Sequence, residues 1–228
     1  MLKDVLVPIN RAGWPFVAGA LVVAAVLMAV WVPLGLVGLL AAAFCAFFFR
    51  DPERITPARE GLVVAPAEGL VSAVGRAVPP EELDMGAQSL PRISIFLSVL
   101  DVHVNRIPAD GTITALAYHS GKFLNASLDK ASDENERQAV RLTLADGRDI
   151  AFVQIAGLIA RRIVCHLREG QRVRAGARFG LIRFGSRTDI YLPEGVAPLV
   201  APGQRMVGGE TVIADLASTE GPRPGEVR

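Results

Sequence analysis

The sequence predicts a mainly β protein, a sandwich or barrel-sandwich-like domain, preceded by an N-terminal hydrophobic helical hairpin. One long charge-free stretch, residues 16–49, accounts for much of the 51% hydrophobic content of the 228 residues. Short apolar alternations punctuated by glycine fill the rest of the chain. A weak repeat relates Gly170-Gln171-Arg172-Val173-x-x-Gly176 to Gly203-Gln204-Arg205-Met206-x-x-Gly209. Each copy predicts a turn, a short strand and another turn, which favours a sandwich or barrel.

The charge-free stretch is too long for a buried globular helix and for one comfortable membrane span. Pro33, with Gly35, divides it near the middle, so residues 1–50 are predicted to form two helices in a hairpin. Trp14 and Trp31 flank the apolar segments in the manner of interfacial anchors. We therefore expect the hairpin to be retained in the membrane and not removed as a signal peptide.

The charges around the hairpin predict its orientation. A hairpin places Lys3, Arg11, Arg50 and Arg54 on one side, and an excess of basic residues marks the cytoplasmic side. We expect the protein at the cell membrane with its following domain on the cytoplasmic face. A shallow hairpin that enters the bilayer without crossing it stays open.

Composition argues against two function classes. The net charge is +1 and no basic run carries interleaved aromatics, so no nucleic-acid partner is predicted. The three histidines form no HxH or HExxH pattern and join no cysteine cluster, so no metal is predicted.

Residues 51–217 are predicted to form the β-rich domain, and the polar tail 218–228 is predicted to be disordered. Residues 156–166 could be a short helix or a strand. The predicted strands cover residues 61–65, 70–75, 93–97, 111–118, 139–144, 149–155, 172–175, 179–182, 189–192 and 211–214.

The stretch Phe184-Gly185-Ser186 lies between two of these strands. By itself it predicts a β turn, because Gly-Ser is a common turn dipeptide. A serine directly after a glycine also has its hydroxyl close to the preceding carbonyl, and the glycine has no Cβ to hinder attack. The two interpretations are compatible.

The segment Asp101-Val102-His103 contains a candidate base. In an extended chain Asp101 and His103 point the same way, and a carboxylate near an imidazole can raise its basicity. The alternative, a polar strand edge with a solvated ion pair, stays open.

Together these pieces resemble a family, the short-form phosphatidylserine decarboxylase proenzymes. The matching segments occur in the family's order and cover residues 8–192. They are PINRxGWPF (8–16), FFFRDPER (47–54), APAEG (65–69), DVHVNR (101–106), GKFxNA (121–126), NER (135–137) and FGS (184–186).

The resemblance implies that the Gly185–Ser186 bond breaks itself. Ser186 would be the nucleophile, and the carbonyl of Gly185 would be the group attacked. The products would be a large chain, 1–185, and a small chain, 186–228, that begins with a pyruvoyl group made from Ser186. That carbonyl would form a Schiff base with the amine of phosphatidylserine, releasing carbon dioxide and giving phosphatidylethanolamine without pyridoxal phosphate or a metal.

Three departures from the family pattern bear on the site. Glu68 stands where the family has aspartate, and Arg106 stands where many members have a second histidine. Arg187 follows Ser186 where longer members have threonine. The resemblance then implies that His103 is the base and later proton donor, oriented by Asp101 or Glu68. Arg106 could bind the lipid phosphate or the departing carboxylate.

The expected partners are phosphatidylserine, the membrane, and the two self-cleavage chains as a heterodimer, with further oligomerisation left open. Two other functions are weighed against this one. A non-enzymatic membrane-anchored barrel-sandwich adaptor explains the hairpin and the repeat but gives Ser186 and His103 no joint role. A pyruvoyl decarboxylase of a soluble amino acid leaves the hairpin without a purpose.

Overall fold

The computed structural model describes residues 7–121, 135–157, 162–183 and 186–226. The chain divides into two compact units, Met1–Glu53 and Arg54–Arg228. The first unit contains the helices and the second contains the strands. The predicted fold class, an apolar helix pair followed by a mainly β domain, is confirmed.

The helical unit begins with a 3₁₀ turn, Arg11–Gly13, followed by α1 (Trp14–Val30) and α2 (Val32–Phe48). The helical conformation is interrupted at Trp31, which is extended with φ −161° and ψ 117°. Pro33 lies in the first turn of α2, where the missing N–H of proline removes no helical hydrogen bond. The proline therefore begins the second helix, and the break falls two residues before it.

Glycines allow the two helices to pack closely. A Cβ on Gly38 would lie 2.7 Å from the Cα of Ala24, and one on Gly35 would lie 2.4 Å from the Cβ of Met28. Small residues at such contacts are typical of helix pairs in lipid. The stretch Arg11–Val30 is long and apolar enough to cross a membrane, and α2 is a shorter apolar helix.

The second unit is built from thirteen strands among the described residues. They are β1 (Leu62–Val64), β2 (Gly69–Ala77), β3 (Leu90–Leu97), β4 (Val104–Arg106), β5 (Gly111–His119), β6 (Arg137–Thr143), β7 (Asp149–Ala156), β8 (Ile163–Cys165), β9 (Arg172–Val173), β10 (Arg178–Ile182), β11 (Ser186–Tyr191), β12 (Arg205–Met206) and β13 (Val212–Asp215). A 3₁₀ turn, Glu81–Leu83, lies between β2 and β3.

The strands form three antiparallel sheets. The largest is a curled eight-stranded sheet in the order β12-β2-β3-β11-β7-β6-β5-β9. A three-stranded sheet has the order β4-β10-β8, and β1 pairs with β13. The strand β11 therefore lies in the middle of the large sheet, between β3 and β7.

The large sheet is buried on both faces at its centre, as β7 shows. Ile150 and Phe152 belong to the main core on the inner face. Ala151, Val153 and Ile155 alternate with them and belong to a second cluster on the outer face. Because both faces are covered, this strand is an almost continuous apolar run.

The predicted strands differ from the observed ones mainly around the candidate site. The sequence prediction missed β4 and began β11 at Asp189, three residues late. The Gly-Ser dipeptide predicted a turn here, but the strand continues back to Ser186, and the side chains of Arg187 and Asp189 form a buried ion pair with each other. The sequence left residues 156–166 open as a short helix or a strand. Ile163–Cys165 of this segment form the strand β8.

The sequence repeat is also a structural repeat. In the first copy the N–H of Gly170 donates to the carbonyl of Ile113 at 2.8 Å, and in the second the N–H of Gly203 donates to that of Val71 at 2.8 Å. The short strands β9 and β12 pair in the same way with β5 and β2. The two copies therefore cap opposite edges of the large sheet.

The last glycines of the two copies, Gly176 and Gly209, meet at Arg106. The Nη1 of Arg106 donates to the carbonyl of Gly176 at 2.8 Å, and a Cβ on Gly209 would lie 2.5 Å from its Cδ. Gly209 also has φ +81°, in the left-handed region that favours glycine. An alanine there would meet a backbone penalty and a buried side chain at once.

We therefore expect Gly209→Ala to destabilise the protein more than Gly203→Ala. Both positions have positive φ, at a cost of about 1–2 kcal/mol for alanine, but Gly203 has open space around it. Displacing Arg106 adds roughly 1–3 kcal/mol of overpacking at Gly209. Thermal unfolding of the full chain in detergent measures the difference, and equal losses for the two variants would contradict it.

Candidate active site

Ser186 is the first residue of β11 and is held on both sides by the sheet. It pairs with Leu97 of β3 and Ala156 of β7, and its side chain is fully buried. Its hydroxyl has no hydrogen-bond partner in the part of the chain that the structure describes. The candidate nucleophile is thus a buried hydroxyl at the start of a central strand, with no hydrogen-bond partner among the described residues. Phe184 and Gly185 lie outside the described residues.

The face of the sheet to which Ser186 belongs follows from strand alternation. Ile190, four residues on, belongs to the main core, and residues two or four apart on a strand share a face. The Ser186 side chain therefore lies on the inner face, together with that of Thr188.

The register of the smaller sheet places His103 at the level of Ser186. Ile182 of β10 packs with Ala156, the cross-strand partner of Ser186. The N–H of Ile182 donates to the carbonyl of His103 at 3.3 Å. His103 therefore lies at the same end of the core as Ser186, and only 2% of its surface is exposed.

One hydrogen bond shows that Nδ1 of His103 carries a proton. Its Nδ1 lies 2.9 Å from the carbonyl oxygen of Asp101, which can only accept, so Nδ1 donates. In the neutral ring the other nitrogen, Nε2, then carries the lone pair. In that tautomer, Nε2 is the ring nitrogen that can accept a proton.

The two carboxylates predicted beside His103 hold the backbone around it. The Oδ2 of Asp101 accepts from the N–H of Ser98 at 2.8 Å, and its Oδ1 pairs with Arg205. The Oε1 of Glu68 accepts from the N–H of Val102 at 3.4 Å, and its Oε2 pairs with Arg54. Asp101 thus contacts His103 through its carbonyl, while its carboxylate closes the loop before it.

Arg106 lies in the repeat contact already described and is 5% exposed. Its backbone N–H donates to the carbonyl of Pro66 at 2.9 Å, close to the turn that contains Glu68. The Arg106 side chain therefore joins the two repeat copies to the strand that follows His103.

Three polar residues that sequence reasoning missed lie one row further along the inner face. The Nε2 of Gln154 donates to the Oδ1 of Asn105 at 2.7 Å, and Gln154 pairs with Thr188 across the ladder. All three side chains are buried. Asn105 Nδ2, Gln154 Oε1 and Thr188 Oγ1 have no hydrogen-bond partner among the described residues.

Two of these residues, Asn105 and Gln154, could have been identified as candidates from the sequence. Asn105 follows His103 by two positions, and Gln154 is the one amide within the apolar run of β7. Buried polar atoms without partners are uncommon in proteins and often mark functional sites. Here they continue the row of polar groups that begins with Ser186 and His103.

The outer face of β11 carries a buried charge pair. Arg187 donates to both oxygens of Asp189 at 2.7 Å, and Arg92 approaches the same carboxylate at 3.9 Å. Burial, and next the charge of Asp189, raise the pKa of Tyr191 on the same face. A cavity of about 530 Å³ opens on this side, so it lies across the sheet from the Ser186 hydroxyl.

The described residues contain no group of three or more histidine, cysteine, aspartate or glutamate side chains arranged to hold a metal ion. A buried serine hydroxyl and a buried histidine at the same end of the core are the groups that nucleophilic attack with proton transfer requires.

Comparison with known proteins points to one family. The family model described as phosphatidylserine decarboxylase matches residues 41–214. A phosphatidylserine decarboxylase proenzyme of Paramagnetospirillum magneticum is 61% identical over 228 residues, which cover 100% of this chain and 95% of the relative. The proenzyme of Cereibacter sphaeroides is 58% identical, with coverage of 100% and 98%. That of Granulibacter bethesdensis is 59% identical over 217 residues, with coverage of 94% and 88%.

The buried Thr188 hydroxyl predicts that Thr188→Val does not destabilise the protein. The valine keeps the shape of threonine and removes a buried hydroxyl that has no partner in the described structure, so stability should be unchanged or slightly higher. Thr211→Val is the matched control, because the Oγ1 of Thr211 accepts from the N–H of Val207 at 2.9 Å. The control should lose about 1 kcal/mol. Thermal unfolding decides, and an equal loss in both variants would refute the prediction.

Proposed function

Because the chain belongs to the phosphatidylserine decarboxylase family, we propose that it cuts itself between Gly185 and Ser186 and decarboxylates phosphatidylserine to phosphatidylethanolamine. It is a carboxy-lyase. The observation that carries the proposal is the buried hydroxyl of Ser186, which has no hydrogen-bond partner among the described residues and lies at the level of His103. The relatives favour this function over an adaptor protein and over a decarboxylase of soluble amino acids.

Self-cleavage begins with the Ser186 Oγ attacking the carbonyl carbon of Gly185 while Nε2 of His103 takes the hydroxyl proton. The C–N bond then breaks and leaves an ester between the two residues, with the proton returned to the nitrogen. Loss of the Ser186 Cα proton expels the Gly185 carboxylate by breaking the Cβ–Oγ bond. Water replaces the nitrogen of the resulting dehydroalanine and releases ammonia, which leaves the pyruvoyl group.

The environment of Ser186 fits the pyruvoyl group. The position is buried, and the ladder to Leu97 and Ala156 holds the new chain end. The group supplies a carbonyl that condenses with the substrate amine and accepts the electron pair released as carbon dioxide leaves. Nε2 of His103 is the group we assign to returning a proton to the substrate carbon.

The strand pairing supports a stable heterodimer of the large chain, 1–185, and the small chain, 186–228. The small chain contributes β11, β12 and β13. Their partners β3, β7, β2 and β1 all belong to the large chain. Breaking the bond before Ser186 therefore leaves the two chains joined by a common core.

We assign supporting roles to the other site residues. Asp101 and Glu68 act as positioning residues, because the carbonyl of Asp101 accepts from the His103 ring and Glu68 accepts from the N–H of Val102, the residue before His103. Arg106 is proposed to hold the repeat turns next to this segment. The helix pair is proposed to hold the enzyme at the cytoplasmic face of the cell membrane, which suits a substrate that does not leave the bilayer readily.

Ser186→Ala should stay a single uncut chain, because the methyl group cannot attack the carbonyl. Ser94→Ala is the matched control, since Ser94 is another buried serine with an unpartnered hydroxyl among the described residues, on the outer face of the neighbouring strand β3. It should be cut as the wild type is. Denaturing gels and intact mass measure the outcome, and cleavage of Ser186→Ala at the same bond would refute the proposed nucleophile.

His103→Gln should slow self-cleavage by roughly 10²- to 10⁴-fold, the usual range for loss of a general base. His119→Gln and His166→Gln serve as controls, because both side chains are exposed. The rate at which newly synthesised protein converts to two chains is the measurement. Normal cleavage with lost decarboxylation would confine His103 to the second reaction.

A further inference from the structure

Two neighbouring apolar side chains project into solvent from the turn that follows β3. Val99 is 37% exposed and Leu100 is 61% exposed, whereas Leu97 before them and Val102 after them are buried. Single exposed apolar residues are ordinary on protein surfaces, but here two occupy the tip of one turn. Side chains this exposed bury little area when the domain folds, so they keep apolar area that can be buried against a partner.

The polar groups of this turn, residues 98–101, are bonded within it. The N–H of Asp101 donates to the carbonyl of Ser98 at 3.0 Å, and the N–H of Leu100 donates to the Oγ of Ser98 at 3.3 Å. The N–H of Ser98 donates to the Oδ2 of Asp101 at 2.8 Å. An N–H that already has a partner loses little when the water around it is removed. The tip therefore enters an apolar medium at a lower cost than an open loop would.

The turn lies at the end of the core that contains the candidate site. Leu97, the residue before it, pairs with Ser186, and its last residue, Asp101, accepts from the His103 ring. Paired Cα atoms are at most about 5.5 Å apart, and each further residue adds at most about 3.6 Å. The Cα of Val99 is therefore within about 13 Å of that of Ser186.

The ion pair at the base of the turn presents its cation to solvent. Asp101 pairs with Arg205, and the Arg205 side chain is 67% exposed while that of Asp101 is 5% exposed. The pair is neutral as a whole, but its water-facing part is the guanidinium. Leu70, the cross-strand neighbour of Arg205, adds a third exposed apolar side chain. Apolar side chains beside an exposed guanidinium are complementary to a bilayer with anionic headgroups.

The β unit is attached to the helix pair through a residue that is connected to this turn. Arg54, the first residue of the β unit, pairs with Glu68, which accepts from the N–H of Val102 just after the turn. Only residues 49–53 separate Arg54 from the end of α2, so the linker spans at most about 22 Å. With the helix pair in the bilayer, as proposed above, this linker keeps Arg54 close to the membrane.

Resting on the function proposed above, we propose that Val99 and Leu100 insert into the lipid bilayer and dock the β unit on it beside Ser186. The helix pair tethers the protein, and the tip turns the site toward the lipid. Withdrawing acyl chains from a bilayer costs free energy for every CH₂ exposed. A headgroup that reaches the docked site with its chains still in the bilayer avoids much of that cost.

The direct test measures the depth of the tip in the bilayer. Leu100→Cys, in a full chain that also carries Cys45→Ala and Cys165→Ala, is labelled with an environment-sensitive fluorophore and reconstituted in vesicles of phosphatidylcholine and phosphatidylglycerol. Lipids brominated on their acyl chains should quench this label. The control is Val78→Cys, which is 50% exposed and follows β2 at the other end of the sheet, and its label should not be quenched. No quenching at position 100, or equal quenching at both positions, would overturn the proposal.

Kinetics give a second, label-free test on the self-cleaved protein. Val99→Ser/Leu100→Ser should convert to two chains normally and act on short-chain phosphatidylserine dissolved as monomers within about twofold of the wild type. On phosphatidylserine in vesicles its kcat/KM should fall about tenfold, the scale of losing one partly buried leucine side chain. Val78→Ser is the matched control and should be unchanged on both substrates.

The contrary results can be told apart. An equal loss on monomers and vesicles would show that the tip only supports the His103 segment, and would overturn the docking role. Unchanged kinetics on vesicles with a smaller oligomer in light scattering would identify an interface between two copies, and would also overturn it. A wild-type protein that cuts itself but releases no carbon dioxide from phosphatidylserine in either form would instead overturn the proposed function, while the quenching would still report the docking.

Discussion

The candidate site depends on the ladder that holds β11 between β3 and β7. Ser186 begins this strand, and hydrogen-bonded neighbours on both sides limit how far its backbone can move. The buried pair of Arg187 and Asp189 on the outer face keeps the following residues in strand geometry. The proposed cut just before this strand would leave a chain end that is already ordered, which suits the reactive carbonyl proposed for Ser186.

A row of buried polar groups runs along the inner face from Ser186 and His103 to Thr188, Gln154 and Asn105. A buried polar atom without a partner costs about 1–3 kcal/mol. The surrounding apolar core, with Phe152 and Ile190 among its members, offsets this cost. We propose that these polar groups contact the reacting groups. Apolar side chains at the same buried positions would give a more stable fold.

The internal repeat connects the edges of the sheet to the site. Its two copies cap β5 and β2, and their final glycines meet at Arg106, three residues after His103. Arg205 of the second copy pairs with Asp101, whose carbonyl orients the His103 ring. A duplicated element that closes the sheet edges thus also supports the segment that contains His103, the proposed base.

Local patterns in the sequence were enough to predict the helix pair, the β domain and the repeat, because hydrophobicity and turns depend on neighbouring residues. Ser186 and His103 became joint candidates through the resemblance to a family, whose motifs are also local. Only the tertiary structure decided that Ser186 lies within a central strand, that Gln154 and Asn105 meet, and that Arg205 pairs with Asp101 at the base of the exposed turn. These contacts depend on strand register between distant segments, and a shift of one residue would turn every side chain to the opposite face.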